Sequence, residues 1–242
     1  MSDEPAGGVV LLGGGGRLGT LVREVLAATP DLRVVHAPAH SSDRLEDLER
    51  DLRARLADDP AELAFEATVA GRGARHARLL LELGLRPVVA TSGVTPEELA
   101  ALDAQARASG LGGLVVPNLS RGMWLLQRFA REAAGHLAPL RIVERHHPAK
   151  RDAPSGTALD TARQLAEAGR ADVPIHSERL AGVYAEQAVE LGSDGETLVV
   201  SHAMRDPRAF APGVRAALRH VRTAVGVASG IGHAFASRPQ EP

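Results

Sequence analysis

The chain contains no cysteine in its 242 residues, which excludes a disulfide, a thiolate nucleophile and a cysteine-based metal site. Aromatic residues make up only 2% of the sequence, so the stacking platforms that usually bind single-stranded nucleic acid are scarce. The formal net charge of −2 provides no basic surface for nucleic acid or an anionic membrane. No apolar run approaches the ~18 residues of a membrane span, and the first residues lack the order of a signal peptide. We therefore expect a cytoplasmic protein that binds small molecules, and neither nucleic acid nor membrane.

Lysine is almost as scarce as cysteine. Of the 28 lysine and arginine residues, Lys150 is the only lysine. An ammonium whose pKa is shifted by its neighbours can donate a proton near neutral pH, whereas a guanidinium cannot. We therefore take Lys150 as a candidate for chemistry. The alternative is that an arginine-biased composition left one lysine there by chance.

The sequence does contain a regular alternation of short, β-rich apolar runs and longer amphipathic stretches. The predicted strands are residues 9–12, 32–36, 63–66, 87–90 and 114–116, and the predicted helices are 18–28, 45–56, 72–83 and 95–109. Parallel strands joined by helices of this length need right-handed crossovers. The pattern predicts an α/β fold with a Rossmann-like, doubly wound parallel sheet.

The pattern changes after residue 118. It predicts helices at 120–135 and 155–168, a strand at 140–144, and two strands at 184–191 and 196–202. A Gly-Ser-Asp-Gly segment between the last two strands is typical of an antiparallel hairpin. We therefore expect a second, α+β domain with a mixed or antiparallel sheet over residues 119–207. A helix at 214–225 returns to the first domain, which comprises residues 1–118 completed by 208–242.

A glycine-rich turn lies between the first predicted strand and the first predicted helix. It consists of Gly13, Gly14, Gly15, Gly16, Arg17, Leu18 and Gly19. Glycines in such a turn let the backbone approach a pyrophosphate, and the free amides of the helix N-terminus face its negative charge. The turn therefore predicts a dinucleotide site, with a merely flexible turn as the alternative.

The choice between NAD and NADP depends on the end of the second strand. NAD-selective sites usually carry an acid there to hold the ribose hydroxyls, but residues 36–42 contain none. His40, Ser41 and Arg44 are placed to surround a 2′-phosphate instead. The sequence favours NADPH, or tolerance of both NADPH and NADH.

A second polar group lies in the other predicted domain. His146, His147 and Lys150 follow a predicted strand, and Ser155 is a natural N-cap for the next helix. Cations that face the unpaired amides of a helix start suit a carboxylate ligand. Adjacent histidines are also compatible with a metal pair, a surface turn or core packing. Since the loop offers no cysteine or glutamate at ligand spacing, we expect no metal site.

The string at residues 146–158, His-His-Pro-Ala-Lys-Arg-Asp-Ala-Pro-Ser-Gly-Thr-Ala, resembles a known family signature. The 4-hydroxy-tetrahydrodipicolinate reductase (dihydrodipicolinate reductase) family shows His-His-x-x-Lys-x-Asp-Ala-Pro-Ser-Gly-Thr-Ala. The resemblance covers nearly the whole chain, because residues 13–19, 91–93, 117–120 and 210–213 also agree with the family in order and spacing.

The resemblance implies a role for each matching position. His146 is implied as the acid/base residue and Lys150 as the proton donor. The implied substrate-binding residues are His147, Ser155, Gly156 and Thr157. Gly13 to Leu18 are implied to bind the cofactor phosphates, and the implied neighbours of the nicotinamide are Ala90, Thr91, Ser92, Val116, Pro117, Asn118 and Leu119.

The implied activity is reduction of a cyclic dicarboxylate by NADPH or NADH. The 4-hydroxyl leaves as water and hydride is delivered to that ring carbon, which gives tetrahydrodipicolinate on the diaminopimelate route to lysine. The resemblance also implies a homotetramer.

Several positions depart from the family pattern. Glu66-Ala67-Thr68 stands where the family often has Asp-Phe-Thr, Ala90 replaces a glycine, and Gln187 replaces a histidine. Two alternatives therefore stay open. One is another two-domain dehydrogenase that acts on an amino or keto acid. The other is a catalytically impaired relative that binds NADPH and has a regulatory role.

Overall fold

A computed structural model of the chain describes residues 7–37 and 44–236. They form two compact units. One comprises the described residues up to Leu119 together with those from Phe210 onward, and the other is Ser120–Ala209. None of the helices in the described ranges combines the length and the apolar character that a membrane span requires.

The first unit is built on a parallel sheet of six strands. Its strands are β1 (Gly7–Leu12), β2 (Leu32–His36), β3 (Leu63–Glu66), β4 (Arg86–Val89), β5 (Gly112–Val115) and β10 (Gly226–Ser229). Its helices are α1 (Arg17–Ala27), α2 (Leu45–Asp58), α3 (Gly73–Glu82), α4 (Pro96–Ala108), α7 (Ala211–Thr223) and α8 (Gly232–Ala236). The chain enters α7 through a 3₁₀ turn at Pro207–Phe210. Every residue of β1 and β3 is buried, as expected for strands covered on both faces.

The strand order positions the glycine-rich turn. In the strand order β10-β5-β4-β3-β1-β2, β2 lies on one side of β1 and β3 lies on the other side. The chain therefore reverses its direction across the sheet between β2 and β3. Ligands of doubly wound sheets bind at such a switch point, outside the carboxyl ends of the strands. The predicted Rossmann-like sheet is confirmed, and its switch point coincides with the turn.

The second unit carries a mixed sheet of four strands in the order β7-β6-β8-β9. The strands are β6 (Ala138–His146), β7 (Ile175–Arg179), β8 (Ala185–Ser193) and β9 (Glu196–Met204), and the helices are α5 (Arg121–Ala134) and α6 (Gly156–Glu167). β6 pairs in parallel with β7 and antiparallel with β8, and β8 and β9 form the predicted hairpin. The core between helices and sheet includes Leu126, Ile142, Leu165 and Val189.

Two strands were absent from the sequence prediction. β7 has a single large apolar residue, Ile175, and β10 reads Gly-Val-Ala-Ser, so neither shows the β-rich apolar run that marks the other strands. Both are edge strands with one partner each, so they need less apolar surface than central strands. The helix predicted at 214–225 also begins earlier, at Ala211, because Pro212 is accommodated in its first turn.

Candidate active site

The glycine-rich turn connects β1 to α1. Gly13 has a φ of 81°, and its carbonyl accepts a hydrogen bond from the amide of Gly16 at 3.0 Å. A Cβ on Gly13 would lie 2.4 Å from the carbonyl oxygen of Ala67, and one on Gly19 would lie 2.2 Å from the carbonyl oxygen of Gly13, so both positions require glycine. α1 begins with neither a side-chain cap nor an acidic residue in its first turn. Its N-terminal amides therefore fit a pyrophosphate.

The other residues of the turn differ in exposure. Gly14 is buried, Gly15, Gly16 and Arg17 are exposed, and Leu18 is half-buried. The exposed backbone and the Arg17 side chain thus form the accessible part of the turn.

A cation that the sequence analysis did not single out lies beside this turn. The guanidinium of Arg23, on α1, donates to the carbonyl oxygen of Ala37 just after β2, at 3.4 Å. It also lies against Gly14, where its Nη2 is 3.1 Å from the position of an added Cβ. The predicted cofactor residue His40, with Ser41, falls outside the described residues. Arg44 precedes α2, with its Nε 4.0 Å from Oε2 of Glu46.

Two more predicted cofactor segments follow adjacent parallel strands. After β4, Ala90 and Thr91 are buried and Ser92 is exposed. After β5, Val116 and Leu119 are buried, Asn118 is half-buried and Pro117 is exposed. Because β4 and β5 are paired neighbours, the structure brings both segments to the carboxyl edge that also carries the glycine-rich turn.

A buried carboxylate supports this edge. Glu66, fully buried at the end of β3, accepts a hydrogen bond from the Thr91 hydroxyl at 2.5 Å. It also accepts from the amide of Thr68 at 3.1 Å and from the Thr68 hydroxyl, and lies 3.2 Å from Nδ1 of His76. Burial alone would raise the pKa of Glu66, but the hydrogen bonds from His76, Thr68 and Thr91 outweigh it, so the pKa lies below its usual value. The family departure at Glu66 is thus accommodated by a connected polar network.

In the second unit, β6 ends at His146. Its Nδ1 is hydrogen-bonded to Oε2 of Glu144, whose side chain is completely buried. The other oxygen of Glu144 accepts from Nη1 of Arg179 at 3.2 Å. In register across β6 and β7, Glu144 lies opposite Ser177 and His146 lies opposite Arg179. Four polar side chains therefore meet at the end of these two strands.

The charges of this group are interdependent. Burial alone would raise the pKa of Glu144, but hydrogen bonds from Ser177 and Arg179, with the nearby charges of His146 and Arg179, hold it below its usual value. The pKa of His146 is also lowered, chiefly by burial and further by the charges of Lys150 and Arg179, although Glu144 opposes this shift. Near neutral pH, the pair therefore consists of a carboxylate and a neutral imidazole.

Lys150 lies in the loop that follows. Its Nζ donates to both carboxylate oxygens of Asp152, at 2.8 and 2.9 Å, and its side chain is 22% exposed. The hydrogen bond from Lys150 is the largest cause of the lowered pKa of Asp152. Arg179, which donates to the Glu144 partner of His146, also donates to the carbonyl oxygen of Lys150 at 3.2 Å, so the structure brings the two predicted catalytic residues near each other.

The predicted helix start is confirmed. The buried Ser155 accepts a hydrogen bond from the amide of Ala158 at 3.2 Å and caps α6. Gly156 is exposed, with no atom within 4 Å of an added Cβ, and Thr157 is half-buried. The ring of His147 lies 6.1 Å from that of Tyr184. In residues 7–37 and 44–236, no three histidine or acidic side chains are grouped as metal ligands.

Three charged side chains of these sites, Glu144, Arg179 and Arg23, were missed in the sequence. Glu144 carries a signal, because it ends the predicted strand two positions before His146, and on a strand that continues to His146 the two side chains share a face. Nothing in the sequence marks Arg179, because the strand on which it lies was not predicted. Arg23 looks like any exposed helical arginine until Ala37 and Gly14 are seen beside it.

A glycine-rich turn at the switch point of a parallel sheet, followed by an α+β unit with a polar cluster, defines the class of two-domain, Rossmann-type dinucleotide-dependent enzymes. Residues 8–119 match the family model described as "Dihydrodipicolinate reductase, N-terminus", and residues 122–231 match "Dihydrodipicolinate reductase, C-terminus". The chain belongs to the dihydrodipicolinate reductase family. The resemblance seen in the sequence is confirmed.

Similar proteins cover nearly the whole chain. A 4-hydroxy-tetrahydrodipicolinate reductase of Coxiella burnetii (strain Dugway 5J108-111) is 35% identical over 88% of this chain and 92% of its own. One from Streptomyces coelicolor is 36% identical over 93% and 96%. The structure of a dipicolinate-bound dihydrodipicolinate reductase from Paenisporosarcina sp. TG-14 superposes with a TM-score of 0.80 at 25% identity, covering 93% of this chain and 98% of that one. An amine dehydrogenase from Mycobacterium smegmatis, at 13% identity and a TM-score of 0.65, shares the fold alone.

Proposed function

We propose that this chain reduces 4-hydroxy-tetrahydrodipicolinate to tetrahydrodipicolinate and water, with NADPH or NADH, on the diaminopimelate route to lysine. The observation that carries the proposal is the complete motif from His146 to Thr157, in a chain whose residues 8–119 and 122–231 match the N-terminal and C-terminal models of one reductase family. The dipicolinate bound to the structure from Paenisporosarcina supports a cyclic dicarboxylate as ligand. These matches favour the reductase over an amino- or keto-acid dehydrogenase and over an impaired relative.

The first unit supplies the proposed cofactor site. Gly13 to Leu18 would hold the phosphates through backbone amides and Arg17, and the segments 90–92 and 116–119 would border the nicotinamide. When bound, the cofactor supplies a hydride. The protein's contribution is the glycine turn, which gives close access to the backbone, and the Glu66 network, which holds Thr91.

The second unit supplies the proposed substrate site. A dicarboxylate requires cations and amide donors, and this unit offers His147, Lys150 and the start of α6 at Ser155, Gly156 and Thr157. The exposed Gly156 has open space on its Cβ side, so a carboxylate can approach the helix amides.

The reaction also requires protons. One hydride and one proton are added and one water is lost. His146 would act as acid/base residue, because a neutral imidazole can take and return a proton near neutral pH. Lys150 would donate the proton, and Asp152 holds its ammonium in place.

We propose in addition that the enzyme is a homotetramer and that it acts in the cytoplasm. β9 is an edge strand of the mixed sheet, and Leu198 and Val199 on it are 41% and 53% exposed. An apolar edge of this kind favours association. The molar mass in solution, measured by light scattering, tests the tetramer.

The activity is tested with substrate generated enzymatically in a coupled assay, in which NADPH and NADH oxidation are followed separately. We expect oxidation that depends on the substrate-generating enzyme. No oxidation with either cofactor would refute the proposed function.

We further propose a preference for NADPH, because Arg23 offers a guanidinium at the end of β2, where an arginine accommodates a 2′-phosphate. Arg23→Ala should weaken binding of 2′,5′-ADP about five- to tenfold, as expected for one charge-assisted hydrogen bond at an exposed site. Binding of 5′-ADP should not change. Arg53→Ala on α2 is the control, and equal weakening of both ligands would contradict the assignment.

A further inference from the structure

β6 and β7 present two different polar faces. On one face, Glu144 and His146 lie opposite Ser177 and Arg179. On the other face, Arg145 lies opposite Glu178, and its Nε donates to the Glu178 carboxylate at 2.6 Å. The first group is mostly buried and the second is partly exposed, with side-chain exposures of 35% and 44% for Arg145 and Glu178.

We propose that Glu144 and Arg179 are positioning residues, of which Glu144 fixes the tautomer of His146 and Arg179 joins this pair to the loop that carries Lys150. The inference rests on the proposed function in that His146 and Lys150 are taken as the proton-transfer residues. Neither Glu144 nor Arg179 is part of the motif that identifies the family in the sequence.

The tautomer follows from the hydrogen bond between His146 and Glu144. An ionised carboxylate only accepts, so the proton of this bond belongs to Nδ1 of the imidazole. Glu144 is ionised near neutral pH, because its pKa lies below the usual value. A neutral His146 therefore carries its lone pair on Nε2, and Nε2 is the atom that can take up a proton.

Arg179 links several groups at once. Its Nη1 donates to Glu144 at 3.2 Å, its Nε to the carbonyl oxygen of Lys150 at 3.2 Å, and its Nη2 to the carbonyl oxygen of Asp152 at 2.5 Å. The planar guanidinium can satisfy these acceptors together because its donors point in fixed, divergent directions. One side chain thus ties the backbone on both sides of residue 151 to the carboxylate that orients His146.

The first experiment measures the tautomer of His146 without substrate, by ¹⁵N NMR of the imidazole nitrogens at pH 7.5 in the full chain. We expect a proton on Nδ1 in the wild type and a mixture of tautomers in Glu144→Gln, because an amide can either accept or donate. Glu178→Gln is the matched control, since it removes a carboxylate of the neighbouring strand that pairs with Arg145, and it should leave the tautomer unchanged. A wild-type His146 with its proton on Nε2 would overturn the proposal, and that measurement needs no variant.

Kinetics give a second readout. In Glu144→Gln we expect kcat to fall at least about tenfold while KM for the substrate changes much less, the pattern of a misoriented acid/base group. The charged groups that face His146 are Glu144, Lys150 and Arg179. Because Glu144 raises the pKa of His146, its loss should move the acidic limb of the pH profile to lower pH. An unmoved limb, or the same loss of kcat in Glu178→Gln, would count against a positioning role.

The variant Arg179→Lys tests the claim that Arg179 joins the pair of His146 and Glu144 to the loop that carries Lys150. A single ammonium cannot serve a carboxylate and two carbonyl groups in divergent directions. We expect faster amide hydrogen exchange at residues 147–153 than in the wild type, and unchanged exchange in Glu178→Gln. Equal protection in all three proteins would overturn the assignment of Arg179.

The proposed function and the positioning pair can fail separately. The tautomer and the exchange rates are measured without substrate or cofactor. A protein that oxidises no NADPH but shows the expected tautomer and loop protection would refute the reductase activity alone. Full activity with the opposite tautomer would refute the positioning pair alone.

Discussion

Lys150 donates hydrogen bonds to both carboxylate oxygens of Asp152. A surface ion pair alone would work equally well with arginine, and all the other 27 cationic side chains among the 28 are arginine. The difference between the two residues is the proton, which lysine can release and arginine cannot at working pH. At the residue scale, this difference separates a binding role from a proton-donating one.

We therefore expect Lys150→Arg to retain substrate binding and to lose most turnover, by about 100-fold or more, the usual contribution of a general acid. Arg151→Lys, at the exposed neighbouring position, is the control and should have wild-type kcat. Steady-state kinetics in the coupled assay measure both variants. Near wild-type activity in Lys150→Arg would show that the residue only binds charge.

The reactive residues of the candidate site can be recognised in the sequence, but the residues that hold them in position cannot. His146, Lys150 and Ser155 stand within ten positions of one another, and a motif records such local spacing. Arg179 reaches Glu144 only through the parallel pairing of β6 and β7, across 35 positions of sequence. The hydrogen bond from Arg23 to the carbonyl oxygen of Ala37 likewise depends on where β2 ends. Contacts of this kind depend on strand register, which a single sequence does not specify when the edge strand has little apolar pattern.

At the scale of elements, α6 is joined to its neighbours by a buried hydroxyl. Thr161 donates to the carbonyl oxygen of Thr157 at 2.9 Å, and accepts from Gln127 of α5 at 3.1 Å and from Gln187 of β8 at 2.8 Å. Gln187 and Thr161 are both buried. Gln187, which departs from the family pattern, therefore has a defined structural role in holding the first turns of α6.

Thr161→Val should lower the free energy of unfolding by about 1 to 3 kcal/mol, because it leaves the buried amide of Gln187 without this acceptor. Thr161→Ser keeps the hydroxyl and should be affected less. Urea denaturation, followed by circular dichroism, measures the difference. Equal stability of the valine and serine variants would show that the hydroxyl contributes little.

Strands with strong apolar patterns were predicted well, and the two edge strands that lack such a pattern, β7 and β10, were missed. β1, β3, β8 and β9 appear within one or two residues of the predicted positions. β10 contains Gly226 at a φ of 88°, and the amide of Val227 is held by Asp103 of α4 at 2.8 Å. Its formation thus depends on a side chain 124 positions earlier, which local pattern does not reveal.

For the molecule as a whole, the histidines and carboxylates with shifted pKa values all respond to acid in the same direction. Burial is the largest cause that lowers the pKa of His146, His202 and His220 below 6.5. Glu66 and Glu144 have lowered pKa values through hydrogen bonds that outweigh burial, and Arg208 lowers the pKa of Asp206 to about 2. In each case the folded state binds protons less readily than the unfolded state, so protonation favours unfolding.

We therefore expect the free energy of unfolding to decrease in two steps as pH falls. The contribution of the histidines to the free energy of unfolding is complete above pH 6.5. It is lost as the pH falls below 6.5, because histidines of the unfolded state protonate before those of the folded state. The carboxylate contribution is lost below the ordinary values of 3.8 and 4.5 for Asp and Glu. Urea titrations from pH 8 to 3 measure both steps. His202→Gln should show a smaller first step, and stability that rises on acidification below 6.5 would contradict this account.

The discontinuous first unit also has a consequence for the order in which a nascent chain can fold on the ribosome. β5 stays an open edge until β10 has been synthesised, and β3, β4 and β5 lack the cover of α7 until residues 211–223 have emerged. The unit Ser120–Ala209 is continuous and depends on none of these later residues for its strands or helices. The second unit, although its synthesis starts later, can therefore complete its fold before the first unit does. Until α7 and β10 have been synthesised, the apolar strands β3, β4 and β5 are the part of the chain that most needs a chaperone.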